Sequence, residues 1–234
     1  MKIRTIAALV FVILFASTLF GQGTVVVIDP TVPAKESKLT VNEQKLFDKV
    51  VVPKFKAKYQ DEGCQVAPEI AGAVDGAFTI AAAKQRLVFF QACQTGNGLG
   101  IVGLVVIQNG KIIASFGSDS GWSLDAGVLP DINRNGLDEF TLSYGGGMHQ
   151  GEGGTGVDIM EFEAGRPKGL GWFKAEEFTD TEAVNVWKVT AKPGSTPLYF
   201  KQKFTAVGEN KWRRVGVNAP LRLTKANAAF EVVN

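Results

Sequence analysis

The chain has 234 residues, with 25 Lys and Arg against 23 Asp and Glu and a single His, for a formal charge of +2. So small an imbalance cannot recruit polyanions by bulk attraction, which speaks against nucleic acid as a partner. One His also leaves too few ligands for a zinc site built on the two cysteines, Cys64 and Cys93.

Lys2 and Arg4 precede an apolar run over residues 6–20 that only Ser17 and Thr18 interrupt. A basic start followed by a short apolar stretch is the pattern of a secretory signal peptide, and the stretch is too short for a comfortable membrane span. Small residues suited to cleavage stand at Ala16 and Gly21, and cleavage after Gly21 leaves Gln22 as the new terminus. An uncleaved anchor helix is the competing reading. No Cys lies near this boundary to carry a lipid. Residues 1–21 are therefore expected to be a signal peptide and the mature protein to be secreted or periplasmic, without stable membrane insertion after cleavage. Removing two basic residues leaves 23 basic against 23 acidic, a net charge near zero. In an oxidising compartment Cys64 and Cys93 most simply form a disulfide. Two unpaired buried thiols remain the alternative, because spacing does not establish proximity.

The β-branched run at residues 24–28 predicts a strand, and Pro30 and Pro33 mark an irregular connector after it. Thr40 stands three residues before Glu43 as a capping box, and Leu46, Phe47, Val50 and Val51 recur at helical spacing. A helix of about three turns is expected, ended or kinked at Pro53, whose ring removes a backbone donor and crowds the preceding turn. Lys54, Lys56 and Lys58 alternate with Phe55, Ala57 and Tyr59, a solvated face beside a buried one.

From Gly76 onward the period becomes extended. Strands are expected at residues 77–80, 87–93, 101–107 and 112–116, then at 140–144, 157–162, 184–191, 198–204 and 212–217. Asn109-Gly110 between apolar runs predicts a tight two-residue hairpin, and Gly208-Glu209-Asn210 predicts another turn. Lys201, Lys203, Lys211 and Arg213 should share one wet face of that second hairpin, with Arg214 breaking the pattern. The expected fold is mainly antiparallel β (a sandwich, barrel or small propeller) with one N-terminal α-helix. Residues 22–75 would hold the first strand, connector and helix, and residues 76–234 the β-rich part.

One segment carries specific chemistry. Residues 131–139 place oxygen-bearing side chains at positions 1, 3, 5 and 9 of a loop, Asp131, Asn133, Asn135 and Glu139, with Gly136 at position 6. Calcium needs six to eight oxygens, and a tight loop supplies them from alternate side chains and one carbonyl. The expected ligands are Asp131, Asn133 and Asn135 through their side chains, Leu137 through its carbonyl, and Glu139 as the closing carboxylate. An EF-hand does not fit, because position 12 is Leu142 and the flank at residues 140–144 is β-like. The empty alternative is a polar turn closed by Asx hydrogen bonds.

With Phe116-Gly117 upstream and a strand-forming 140–142 downstream, this segment resembles the calcium loop of FG-GAP or VCBS-type repeats, which occur in integrin α-chain propellers and many secreted bacterial proteins. The resemblance covers about thirty residues and implies a calcium loop between strands. Asn at both interior positions and Glu at position 9 depart from the family pattern, as does a longer gap after Phe116-Gly117. Fewer ligand charges imply weaker binding.

Other motifs are less informative. The 151–156 run matches G-x-G-x-x-G, but the residues after it read as extended, whereas a dinucleotide site needs a helix there. It reads better as a Gly-rich loop with Gly145 to Gly147, a rim for ligand contact. His149 lies in that loop, and Asp119-Ser120-Gly121 resembles a serine-protease nucleophile segment with no partner motif. Acids at Asp158, Glu161, Glu163, Glu176 and Glu177 could include a hydrolytic pair. Trp122, Trp172, Phe173 and Trp187 could stack on sugars or peptides or fill the core. Together these features predict an exported, calcium-stabilised β protein with a binding or structural role, its candidate partners an extracellular carbohydrate or protein. A secreted hydrolase acting on carbohydrate or peptide is the rival.

Overall fold

The computed structural model describes residues 23–33, 37–60, 64–96, 99–149, 152–179, 182–209 and 211–234. The expected signal peptide lies outside them. No described helix is long and apolar enough to cross a membrane.

The chain begins with β1 (Val25–Ile28) and then the helix α1 (Val41–Tyr59). Thr40 and Glu43 close the expected capping box: the Glu43 carboxylate accepts from the Thr40 N–H at 2.8 Å, and the Glu43 N–H donates to the Thr40 hydroxyl at 3.3 Å. Instead of stopping at Pro53, the helix runs through it to Tyr59. Phe47, Val51, Phe55 and Tyr59 are buried along one stripe at fourth-residue spacing. Two of those anchors lie beyond Pro53, so their packing offsets the donor that proline removes.

The remaining elements are strands: β2 (Glu69–Gly76), β3 (Gln85–Gly96), β4 (Leu99–Gln108), β5 (Lys111–Ser120), β6 (Trp122–Leu129), β7 (Glu139–His149), β8 (Glu152–Glu163), β9 (Arg166–Thr179), β10 (Glu182–Lys192), β11 (Leu198–Gly208), β12 (Lys211–Leu221) and β13 (Glu231–Val232). A five-stranded sheet is ordered β13-β5-β4-β3-β2. An eight-stranded sheet is ordered β12-β11-β10-β9-β8-β7-β6, with β1 added beside β10. All these pairings are antiparallel. The fold is thus mainly antiparallel β with one helix, in two sheets and not a closed barrel.

Residues 77–80 are not a strand. Phe78 is fully buried there, and the N–H groups of Phe78 and Thr79 both donate to the Gln85 side chain, at 2.9 and 2.8 Å. A buried glutamine thus stands in for a neighbouring strand. Asn109 and Gly110 have φ of 49° and 69°, the geometry of a tight hairpin between β4 and β5.

Three apolar layers result. α1 covers the outer face of the smaller sheet, with Phe47 and Phe55 packed edge-on against Phe90. A bond between Cys64 and Cys93, Cα atoms 5.6 Å apart, fixes the chain after α1 to β3. Phe89, Leu104 and Phe116 of the smaller sheet meet Phe140, Leu142 and Phe162 of the larger one. The third layer lies inside the larger sheet, which curls until β1 touches β6. Val27, Leu129, Val157, Ile159, Phe173 and Val189 fill that curl, and Ile132, from the loop between β6 and β7, is buried among them.

Candidate functional site

The 131–139 loop joins β6 to β7 across one end of the curl. Arg134 and Gly136 take positive φ of 65° and 91°, which turn the backbone sharply enough to bring its N–H groups inward. Both Asp131 carboxylate oxygens then accept from the loop: Oδ1 from the Asn135 N–H and Oδ2 from the Gly136 N–H, each at 2.9 Å. Asn133 Oδ1 accepts from the Asn135 N–H at 3.0 Å, and Asn135 Oδ1 from the Leu137 N–H at 2.9 Å. These are the Asx hydrogen bonds by which such a loop folds with or without an ion. Buried Ile132 and a bond from the Gly194 N–H to its carbonyl, 2.8 Å, hold the loop to the sheet.

The carboxamide nitrogens of Asn133 and Asn135 both donate to one atom, Glu161 Oε2, at 2.8 and 2.9 Å. Glu161 projects from β8 and is almost buried, and its other oxygen meets Lys168 Nζ at 3.1 Å. The sequence offers Glu161 only as a candidate hydrolytic acid and gives no link to the loop, because strand pairing alone brings it there. Glu139, the first residue of β7, is wholly buried. Its Oε2 accepts from the Ile132 N–H at 2.8 Å, while its Oε1 has no hydrogen-bond partner. Burial pushes the Glu139 carboxyl up to about 7; backbone N–H donors oppose the shift, and the charge of Asp131 adds to it. Tyr199 is pushed up to about 12 by burial and by the negative charges of Glu139 and Glu161.

The expected site residues are therefore brought together unevenly. Asp131, Asn133, Asn135 and Glu139 form one hydrogen-bonded unit with Glu161. Among the described residues, however, no three His, Cys, Asp or Glu side chains cluster as a metal site. Neighbouring Asp138 serves structure, its oxygens accepting from the Ala77 N–H at 2.7 Å and the Asp131 N–H at 3.3 Å.

The Gly-rich segment forms β7 and β8, paired as Tyr144 with Gly156 and Gly146 with Gly154. Beside it lies an open groove of about 730 Å³, lined by Gly154, Gly156, Trp172, Lys174, Glu177 and Asn185 among others. The Trp172 indole lies against Gly156, in the space that any side chain there would take. Five acids of β8 and β9, all among the described residues, are already engaged. Glu176 accepts from the Thr155 hydroxyl at 2.7 Å, and Glu177 from the Asn185 amide at 3.0 Å. Glu161 and Glu163 share Lys168. Asp158 is buried and accepts from the Asn227 and Ala228 N–H groups, both at 2.9 Å. Ser120 faces Ser118, their hydroxyls 3.0 Å apart, and His149 ends β7. Trp187 and Phe173 pack into the curl.

Comparison with protein-family models, with curated proteins and with solved structures found no match, so the functional reading rests on the geometry of the loop and the groove.

Proposed function

We propose that this is an exported β-rich binding or structural protein whose 131–139 loop takes up calcium. The observation that carries the reading is Glu139 Oε1, a fully buried carboxylate oxygen that makes no well-formed hydrogen bond, although backbone N–H groups of Asn133 and Glu139 act on the carboxyl, beside a loop rich in oxygens. Burying an unpaired acceptor is costly, and a divalent cation offsets the cost by supplying the positive charge the site lacks. Each carboxamide or carboxylate oxygen that accepts one N–H keeps a further lone pair for a cation. Asp131, Asn133, Asn135, the Leu137 carbonyl and Glu139 make up the ligand set, with Glu161 supplying charge from the neighbouring strand. Calcium here would act through folding, tying β6, β7 and β8 together at one end of the curl.

Thermal unfolding with calcium and with EDTA tests this, together with equilibrium dialysis against calcium. A melting temperature that rises with calcium concentration in the native chain and not in Asp131→Ala is expected. An unchanged melting temperature after chelation, with no calcium taken up, would leave the loop as a turn closed by its own hydrogen bonds.

The binding role belongs to the groove beside Trp172, whose indole and neighbouring amide and carboxylate groups suit an extracellular carbohydrate or peptide. Binding fits better than hydrolysis, because the described acids beside the groove, Glu176 and Glu177, each accept a hydrogen bond from a neighbouring side chain.

A further inference from the structure

The near-zero charge of the mature chain is a cancellation between two unlike parts. Residues 23–182 hold 14 Lys and Arg against 21 Asp and Glu, whereas residues 183–234 hold nine against two. The second part is β10, β11, β12 and the segment after them, so the positive charge collects at one end of the larger sheet. Some of it is committed: Lys188 pairs with Asp29 at 2.7 Å, Arg214 donates to Gln202 at 2.8 Å, and Lys203 lies over the Trp187 ring. Lys201, Lys211 and Arg213 are exposed and, among the described residues, meet no carboxylate. Interleaved with them are exposed valines, Val207 at 52%, Val215 at 40% and Val217 at 80%.

β12 is an edge strand, yet it is poorly suited to pairing with another strand. Its register slips opposite Gln202, between the Lys201 and Lys203 pairs, where Gly216 takes a φ of 69°, and Pro220 offers no N–H. Contact with a partner therefore falls to side chains. A soluble polyanion would satisfy the cations and leave the valines in water. An anionic bilayer offers headgroups to the first and the acyl boundary to the second.

We propose that the β11–β12 hairpin docks this protein peripherally on phospholipid membranes bearing anionic headgroups, an interaction independent of the calcium loop. Co-sedimentation of the full mature chain with vesicles of phosphatidylcholine alone, or with about one third phosphatidylglycerol, tests it in EDTA at low and high salt. Binding only to the anionic vesicles, weakened by salt, is expected. Each basic residue near such a surface contributes about five-fold, so Lys201→Gln, Lys211→Gln and Arg213→Gln together should weaken binding by about a hundred-fold. The same number of changes on α1, Lys45→Gln, Lys49→Gln and Lys56→Gln, should leave it intact. Val207→Ser with Val217→Ser should lower the binding that survives high salt. Circular dichroism confirms that each variant is folded. No sedimentation with anionic vesicles, equal binding to neutral ones, or equal loss in the α1 variant would overturn the assignment. Binding untouched by the valine changes and abolished by dextran sulfate would show a general polyanion site and overturn it too.

Discussion

Glu139 is a group that water would keep ionised, held where its side chain meets no solvent, and its protonation should therefore be visible in stability. Its native pKa of about 7 lies above the ordinary value of 4.5, so between those limits the folded chain binds more protons than the unfolded one. In EDTA, stability should fall as pH rises through that window, and Glu139→Gln should flatten the fall. Melting curves at several pH values check this, and identical slopes in the two proteins would refute it. If the loop takes up calcium as proposed, the order should reverse in its presence, because the ionised carboxylate would be the ligand. The fold of the loop was legible, since Asp131, Asn133, Asn135 and Gly136 act within one turn of chain and their spacing encodes its hydrogen bonds. Glu161 was not, because its approach depends on how β8 lies beside β7, and nothing local records that.

Pro53 shows propensity yielding to packing at the scale of one element. The capping box and apolar spacing announce where α1 begins, but Phe55 and Tyr59 decide where it ends, and their partners lie on the distant β strands. Pro53→Ala restores a backbone hydrogen bond and relieves crowding, and should stabilise the protein by about 1 to 3 kcal/mol in urea unfolding. The missed strands have similar causes. β2, β6 and β9 carry interior glycines, and β9 also Pro167, which read locally as turns. The β8–β9 hairpin turns at Ala164-Gly165, φ 49° and 76°, where an alanine gives no sign of the positive φ it adopts. Asn109-Gly110 advertises the same geometry openly, and Gly110→Ala should cost about 1 kcal/mol there.

At the scale of the whole molecule, β-richness and the lone helix were readable from periodicity, whereas the division into two sheets was not. Pairings such as β1 with β10 and β5 with β13 join segments far apart in the chain, and no local pattern encodes them. The bond between Cys64 and Cys93 was foreseeable as a pair, but its role in fastening α1 to the smaller sheet belongs to the assembled fold. Closing a loop of 29 residues should contribute about 3 to 4 kcal/mol in the loop-entropy model, so Cys64→Ser with Cys93→Ser should lower the urea midpoint by that equivalent.

β5 of one sheet passes to β6 of the other through Gly121 alone. So short a corner leaves no slack for either sheet to open while its neighbour stays closed. Slow amide protons of β4 and β8 should consequently exchange with deuterium at one common rate, released in the same rare event.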